Sequence, residues 1–303
     1  MTSTQQPAAI ADRPRAGTGD AAWRVLRGEV PEGTRVRAGN VELGGRAFVV
    51  IAGPCAVEGH QQMLDTADAV ARTGAPMLRG GAYKPRTSPY AFQGMGEVGL
   101  HLLAEQGRRL GVPVVSEIMD ASQLPLMETC VDVLQVGTRN MHNYALLRAL
   151  GRSKRPVLLK RGFSATIQEW LQAAEYILDG GNPQVILCER GIRTFEPDTR
   201  NTLDLSAVAL VKERSHLPVV VDPSHATGRR SLVLPMALAA AAVGADGLLL
   251  DVHPRPDQAQ CDGAQALLPD DLAELMTKLE PVLHAVGRTL WQGPKRAHAA
   301  GTR

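Results

Sequence analysis

Aromatic side chains are scarce in this 303-residue sequence, at 4% of residues, which argues against the stacking platforms that hold single-stranded nucleic acid. Charge of either sign is not in excess. With 33 basic against 31 acidic residues, nothing pulls the chain generally toward nucleic acid or an anionic membrane. Paired cysteines are missing too: Cys55, Cys130, Cys188 and Cys261 are widely spaced, form no CxxC motif and follow no signal peptide. They read as reduced thiols of a cytoplasmic protein. The longest apolar run, "LVLPMALAAAAVGA", is too short and alanine-rich to span a bilayer and reads as a buried helix. Neither GxGxxG after a strand nor GxxxxGK[ST] occurs, which demotes a doubly wound nucleotide-binding sheet to the second-ranked architecture.

What is present is a repeat of short apolar runs separated by helix-length segments. The runs are "FVVIA", "PMLRG", "PVVSE", "DVLQVG", "PVLLKR", "QVILCE", "PVVVD" and "GLLLDV". They do not alternate polar with apolar, as befits strands covered on both faces. Eight of them predict an α/β fold with a single (β/α)8 TIM barrel. In "SATIQEWLQAAEYILDGG", Thr166 and Glu169 form a capping box, an apolar face runs from Ile167 to Leu178, and Gly180–Gly181 ends the helix. "DDLAELMTKLEPVLHAVG" is likewise amphipathic, with a kink expected at Pro281. "RVRAGNVELGGRAFVV" reads as an N-terminal β-hairpin feeding the first barrel strand and closing the barrel floor. The expected organisation is a disordered tail over 1–20, a catalytic barrel with its hairpin over 21–290, and a basic tail over 291–303.

In such barrels the C-terminal strand ends converge on one mouth, and here nearly every one carries something polar. The second leads into "LRGGAYKPRTSPY", which gathers Arg79, Lys84 and Arg86 with no acidic residue among them. Others bring Glu117, Arg139, Lys160 with Arg161, and Glu189 with Arg190. Arg79, Lys84, Arg86, Arg139, Lys160 and Arg190, six cations in one mouth, suit a small polyanion bearing phosphate or carboxylate groups. Cys55, His225, Asp251 and Asp262 follow the first, seventh and eighth strands, and the first and eighth are neighbours in a closed barrel. One thiolate, one imidazole and two carboxylates suit Mn, Fe, Co or Zn rather than Mg or Ca; on spacing alone, structural roles for these residues stay open.

The segments "IAGPCAVEG", "LRGGAYKPRTSPYAFQG", "LLKRGFSATIQEWL", "ILCERGIRTFE", "TRNTLDLSAV", "SHLPVVVDPSHATGRR" and "DVHPRPDQAQCDG" resemble, in order, those of 3-deoxy-D-arabino-heptulosonate 7-phosphate (DAHP) synthases. The similarity is to the type I subgroup related to 3-deoxy-octulosonate 8-phosphate synthases, and runs from about Val41 to Leu275. The resemblance implies a metal-dependent, aldol-type condensation of phosphoenolpyruvate with erythrose 4-phosphate. That reaction is the first step of the shikimate pathway to aromatic amino acids. The resemblance implies a divalent ion (Mn, Fe, Co or Zn) on Cys55, His225, Asp251 and Asp262. Arg139, Lys160 and Arg190 would bind phosphoenolpyruvate, with Arg79 and Lys84 completing its pocket. Arg86 and Thr87 would take the aldose phosphate, and Glu117 would position the attacking water. Lys84, Glu117, Lys160 and His225 are the expected catalytic groups. A homodimer or homotetramer, with no nucleic-acid or membrane partner, is implied as well.

Three positions depart from the family pattern. Asp251 stands where "EVHP" usually supplies Glu, one methylene longer, so altered metal affinity or preference is expected. Thr138 replaces Ala in "GARN". Cys261 replaces Ser beside Asp262; a second thiol there could bind metal or make the site oxidation-prone, but a harmless exchange is the favoured reading. The region before Val41 is short and polar, so no feedback inhibition through a fused regulatory domain is expected. Rival readings are a sibling synthase taking arabinose 5-phosphate or an amino-sugar phosphate, a Schiff-base aldolase using Lys160, and an inactive sugar-phosphate sensor.

Overall fold

A computed structural model describes residues 23–293; the tail expected over 1–20 and most of that over 291–303 lie outside the described residues. An antiparallel hairpin comes first, β1 (Val36–Ala38) with β2 (Val41–Leu43). Eight parallel strands follow: β3 (Ala47–Gly53), β4 (Met77–Arg79), β5 (Val114–Ile118), β6 (Val133–Val136), β7 (Val157–Lys160), β8 (Val185–Glu189), β9 (Val219–Val221) and β10 (Gly247–Asp251). Each pairs with the next, and β10 returns to β3 in the register Gly247↔Val49 to Asp251↔Gly53, closing the barrel. Closure leaves this sheet no free edge along β3 to β10.

The crossovers carry helices: α1 (His60–Arg72), α2 (Glu97–Leu110), α3 (Leu124–Cys130), α4 (Tyr144–Leu150), α5 (Ile167–Asp179) and α6 (Leu205–Arg214). Two helices, α7 (Pro223–Thr227) and α8 (Arg230–Ala242), separate β9 from β10, and α9 (Pro269–Ala285) follows, continuous through Pro281. The capping box of α5 is formed as the sequence predicts, with Thr166 Oγ1 accepting from Glu169 N. Residues of the "LVLPMALAAAAVGA" run build α8, of which Val233, Ala237, Ala240 and Ala241 are buried.

Strand residues alternate between two cores because side chains on a strand point to opposite faces. One set, including Ile51, Met77, Val115, Val133, Leu158, Ile186, Cys188, Val220 and Leu249, fills the barrel interior. Hairpin residues Val36, Ala38, Val41 and Leu43 belong to this same cluster, so the hairpin does close the floor. The other set packs outward against the helices around Trp170, whose Nε1 donates to Leu159 O. A short β11 (Thr289–Leu290) adds parallel to β3, and Trp291 N donates to Phe48 O, so the ordered chain continues past residue 290.

Candidate active site

Loops after the strands line a cavity of about 300 Å³. Its walls include Arg79, Lys84, Arg86, Arg139, Lys160 and Arg190, the six cations expected to converge, together with Thr87, Glu117, His225 and Asp262. Not every strand-end charge joins them. Arg161 follows Lys160 and so faces the other way, toward the helices, where it pairs with Glu189 (2.9 Å) and Asp204 (3.0 Å). Glu189 thus serves a buried structural pair, not the mouth. His253 is also withdrawn, its Nε2 3.4 Å from Glu58.

The six cations differ in how far they are neutralised. Arg79 ion-pairs with Asp251, and Lys160 Nζ lies 2.5 Å from Asp222 Oδ2. Lys84 donates to Cys55 O (2.9 Å) and approaches Cys55 Sγ (3.1 Å). No carboxylate among the described residues comes within 4.0 Å of Arg86, Arg139 or Arg190. Arg139 and Arg190 lie over the Phe163 ring, 5.4 and 4.9 Å from its centre. Nε atoms of Arg79 and Arg190 are buried without a hydrogen-bond partner among the described residues. Buried donors left without acceptors are costly, and these two line a cavity wide enough to admit an acceptor.

Backbone geometry sets several of these groups. A Cβ at Gly53 would lie 2.0 Å from Arg79 O, so only glycine lets the ends of β3 and β4 approach this closely. A Cβ at Gly137 would lie 1.9 Å from Glu117 Oε1; glycine there gives the Glu117 carboxylate its place, with Gln135 Nε2 3.4 Å from Oε2. Asp222 caps α7 through His225 N (2.9 Å), which aims the imidazole into the mouth, and Asp222 Oδ2 lies 2.8 Å from His225 Nδ1 without hydrogen-bond alignment.

Ligand atoms of Cys55, His225, Asp251 and Asp262 lie within 4.8 Å of one another. His225 Nε2 is 3.7 Å from Cys55 Sγ, 3.5 Å from Asp251 and 3.6 Å from Asp262; Cys55 Sγ is 3.2 Å from Asp262 Oδ2. The shorter Asp251 therefore still reaches the group, steadied by Gln265 Nε2 (2.7 Å) and Ser224 Oγ on its backbone N–H. Burial, opposed by Asp222 and Asp251, lowers the pKa of His225 and favours the neutral imidazole that can ligate a metal. Burial would raise Asp262, but His225 when protonated, together with the permanent charges of Arg200 and Lys84, holds its carboxyl well below the usual range. The Cys55 thiol is pushed well up by its contact with Cys261, by burial and by Asp251. A metal would have to displace that thiol proton. Apparent affinity for a divalent ion should consequently rise about tenfold per pH unit between pH 6 and 8, measured by titration of metal-free protein in weakly coordinating buffers; a flat profile would show that Cys55 loses no proton.

Sequence reasoning left out Arg200. It follows an irregular loop rather than a strand end, yet it lines the cavity and donates to Asp262 Oδ1 (3.1 Å) and Gln265 Oε1 (2.9 Å). Its one signal in the sequence is its place in "TRNTLDLSAV", a segment that resembles the family.

A phospho-2-dehydro-3-deoxyheptonate aldolase of Thermotoga maritima is 50% identical over 257 residues, covering 85% of this chain and 76% of that protein. A crystal structure described as that organism's DAHP synthase superposes with a TM-score of 0.86 at 48% identity, covering 88% of this chain and 78% of the other. A 2-dehydro-3-deoxyphosphooctonate aldolase of Alkalilimnicola ehrlichii is 32% identical, covering 77% of this chain and 90% of its own. With residues 29–286 matching the family described as DAHP synthetase I, on a barrel whose mouth holds the cations and the four-donor group, the chain belongs to that family of enzymes, which condense phosphoenolpyruvate with an aldose phosphate.

Proposed function

We propose that the aldose phosphate is erythrose 4-phosphate and that the reaction needs a divalent metal, giving DAHP and inorganic phosphate. The observation that carries this reading is the "KPRTS" loop, Lys84–Ser88, lining the same cavity as His225 and Asp262 of the four-donor group. The donor set fits a borderline or soft divalent ion: one sulfur, one imidazole nitrogen and two carboxylates, all mutually within reach. Cys55, His225, Asp251 and Asp262 would hold it, and when bound it would act as a Lewis acid on the aldehyde of the aldose phosphate.

The chain's own residues do the rest. Arg139, Lys160 and Arg190, with Arg79 and Lys84, bind the carboxylate and phosphate of phosphoenolpyruvate and offset its repulsion from the second anion. Arg86 and Thr87 take the phosphate of erythrose 4-phosphate, which sets the aldehyde carbon against C3 of the enol phosphate. Holding two reacting carbons in contact can contribute about 7–11 kcal/mol in well-oriented systems. After the carbon–carbon bond forms, C2 is electron-poor, and Glu117 positions the water that adds there. The resulting hemiketal phosphate collapses to the ketone and releases phosphate.

Lys160 spends its contact on Asp222 rather than standing free as an imine-forming amine would, which disfavours a Schiff-base aldolase. The reading includes a homo-oligomer, in which a second copy would cover Tyr90 and Phe195, 97% and 98% exposed on the β4–α2 and β8–α6 loops.

The test is to strip metal with a chelator, restore Mn, Fe, Co or Zn singly, and follow phosphoenolpyruvate loss with erythrose 4-phosphate or arabinose 5-phosphate. Restored turnover confined to erythrose 4-phosphate is expected. Turnover with arabinose 5-phosphate alone would overturn the substrate, and undiminished turnover in chelator would overturn the metal.

A further inference from the structure

The four-donor group leaves one neighbouring sulfur without a role. Cys261 is 4% exposed and its Sγ lies 3.5 Å from Cys55 Sγ. This separation is far beyond the roughly 2.05 Å of a disulfide. It is close to what two sulfurs on one ion require: at about 2.3 Å from a tetrahedral ion they stand roughly 3.8 Å apart. The local backbone makes the approach feasible. Asp262 has φ 54°, the one positive φ at a non-glycine among the described residues. In an extended segment adjacent side chains diverge to opposite faces. The left-handed residue instead lets Cys261 and Asp262 both reach Cys55, at 3.5 and 3.2 Å.

We propose that Cys261 is a second thiolate ligand for thiophilic divalent ions in this site. The inference rests on the metal-dependent reading above and deepens it. With Cys261 beside the four-donor group, a tetrahedral ion would have five candidate donors for four positions, and soft ions such as zinc and cadmium would draw Cys261 in to bind through both sulfurs. Two thiolates, His225 and one carboxylate fill all four positions and leave none for substrate, as in a closed structural zinc site. Manganese, which prefers oxygen donors, leaves Cys261 on the guanidinium of Arg86, whose Nη1 lies 2.7 Å from its Sγ. The exchange of Ser for Cys at this position therefore shifts metal preference toward ions that bind firmly but support less turnover.

The experiment titrates cobalt(II) into reduced, metal-free protein under anaerobic conditions and measures sulfur-to-cobalt charge-transfer absorption per bound ion. Cys261→Ser is expected to keep one ion per chain with about half the wild-type intensity, and Cys55→Ser likewise to lose about half. Cys261→Ala carries the same expectation should the serine variant fail to fold. Equal intensity in wild type and Cys261→Ser overturns the inference while leaving the single-thiolate metal site intact. Failure of the wild type to bind cobalt at all overturns the metal-dependent reading and this inference with it.

Discussion

His225→Ala should lower kcat/KM by roughly 10³-fold or more, the several kcal/mol that a Lewis acid contributes to developing charge. His225 is the one neutral donor of its group, and its Nε2 stands 3.5–3.7 Å from Cys55, Asp251 and Asp262. The truncation spares the backbone: the cap of α7 uses His225 N–H, which alanine keeps. Metal content per chain should fall in step with turnover. Wild-type turnover in the variant at equal metal content would remove His225 from the reaction.

Arg190→Ala should lower kcat/KM by about 10²–10³-fold, within the 2–5 kcal/mol typical of truncating one partner of a buried charge pair. The loss should appear chiefly in KM for phosphoenolpyruvate, because a binding contact shared by ground and transition states is removed. The sign of the stability change separates this arginine from its structural counterpart. Arg190 is buried with no carboxylate partner and an orphaned Nε, so its removal should leave stability unchanged or raised. Arg161 is buried in a pair with Glu189, and Arg161→Ala should cost about 3–5 kcal/mol in denaturant unfolding. Equal destabilisation by the two substitutions would mean that Arg190 is also a structural ion-pair residue.

That contrast shows what sequence could and could not resolve. Eight buried parallel strands were legible because each is an unbroken apolar run, and the hairpin because Val36, Ala38, Val41 and Leu43 share one face. Lys160 and Arg161, or Glu189 and Arg190, are consecutive, and their order along the chain does not say which enters the mouth. The pleat decides that, sending Arg161 and Glu189 toward the helices and leaving Lys160 and Arg190 in the cavity. Sequence also overstated the positive charge of the mouth, since the partners Asp222 and Asp251 arrive from distant strands and neutralise Lys160 and Arg79. At Cys261 the sequence favoured a harmless serine exchange over a second metal-binding thiol; the left-handed turn at Asp262, which the sequence does not show, is what brings it onto Cys55.

The most direct test is anomalous diffraction from crystals grown with manganese and phosphoenolpyruvate. One strong peak is predicted, bonded to Cys55 Sγ, His225 Nε2 and the carboxylates of Asp251 and Asp262, with the substrate's anionic groups on Arg139, Lys160 and Arg190. An ion bound elsewhere, or a substrate seated away from those three cations, would contradict the account.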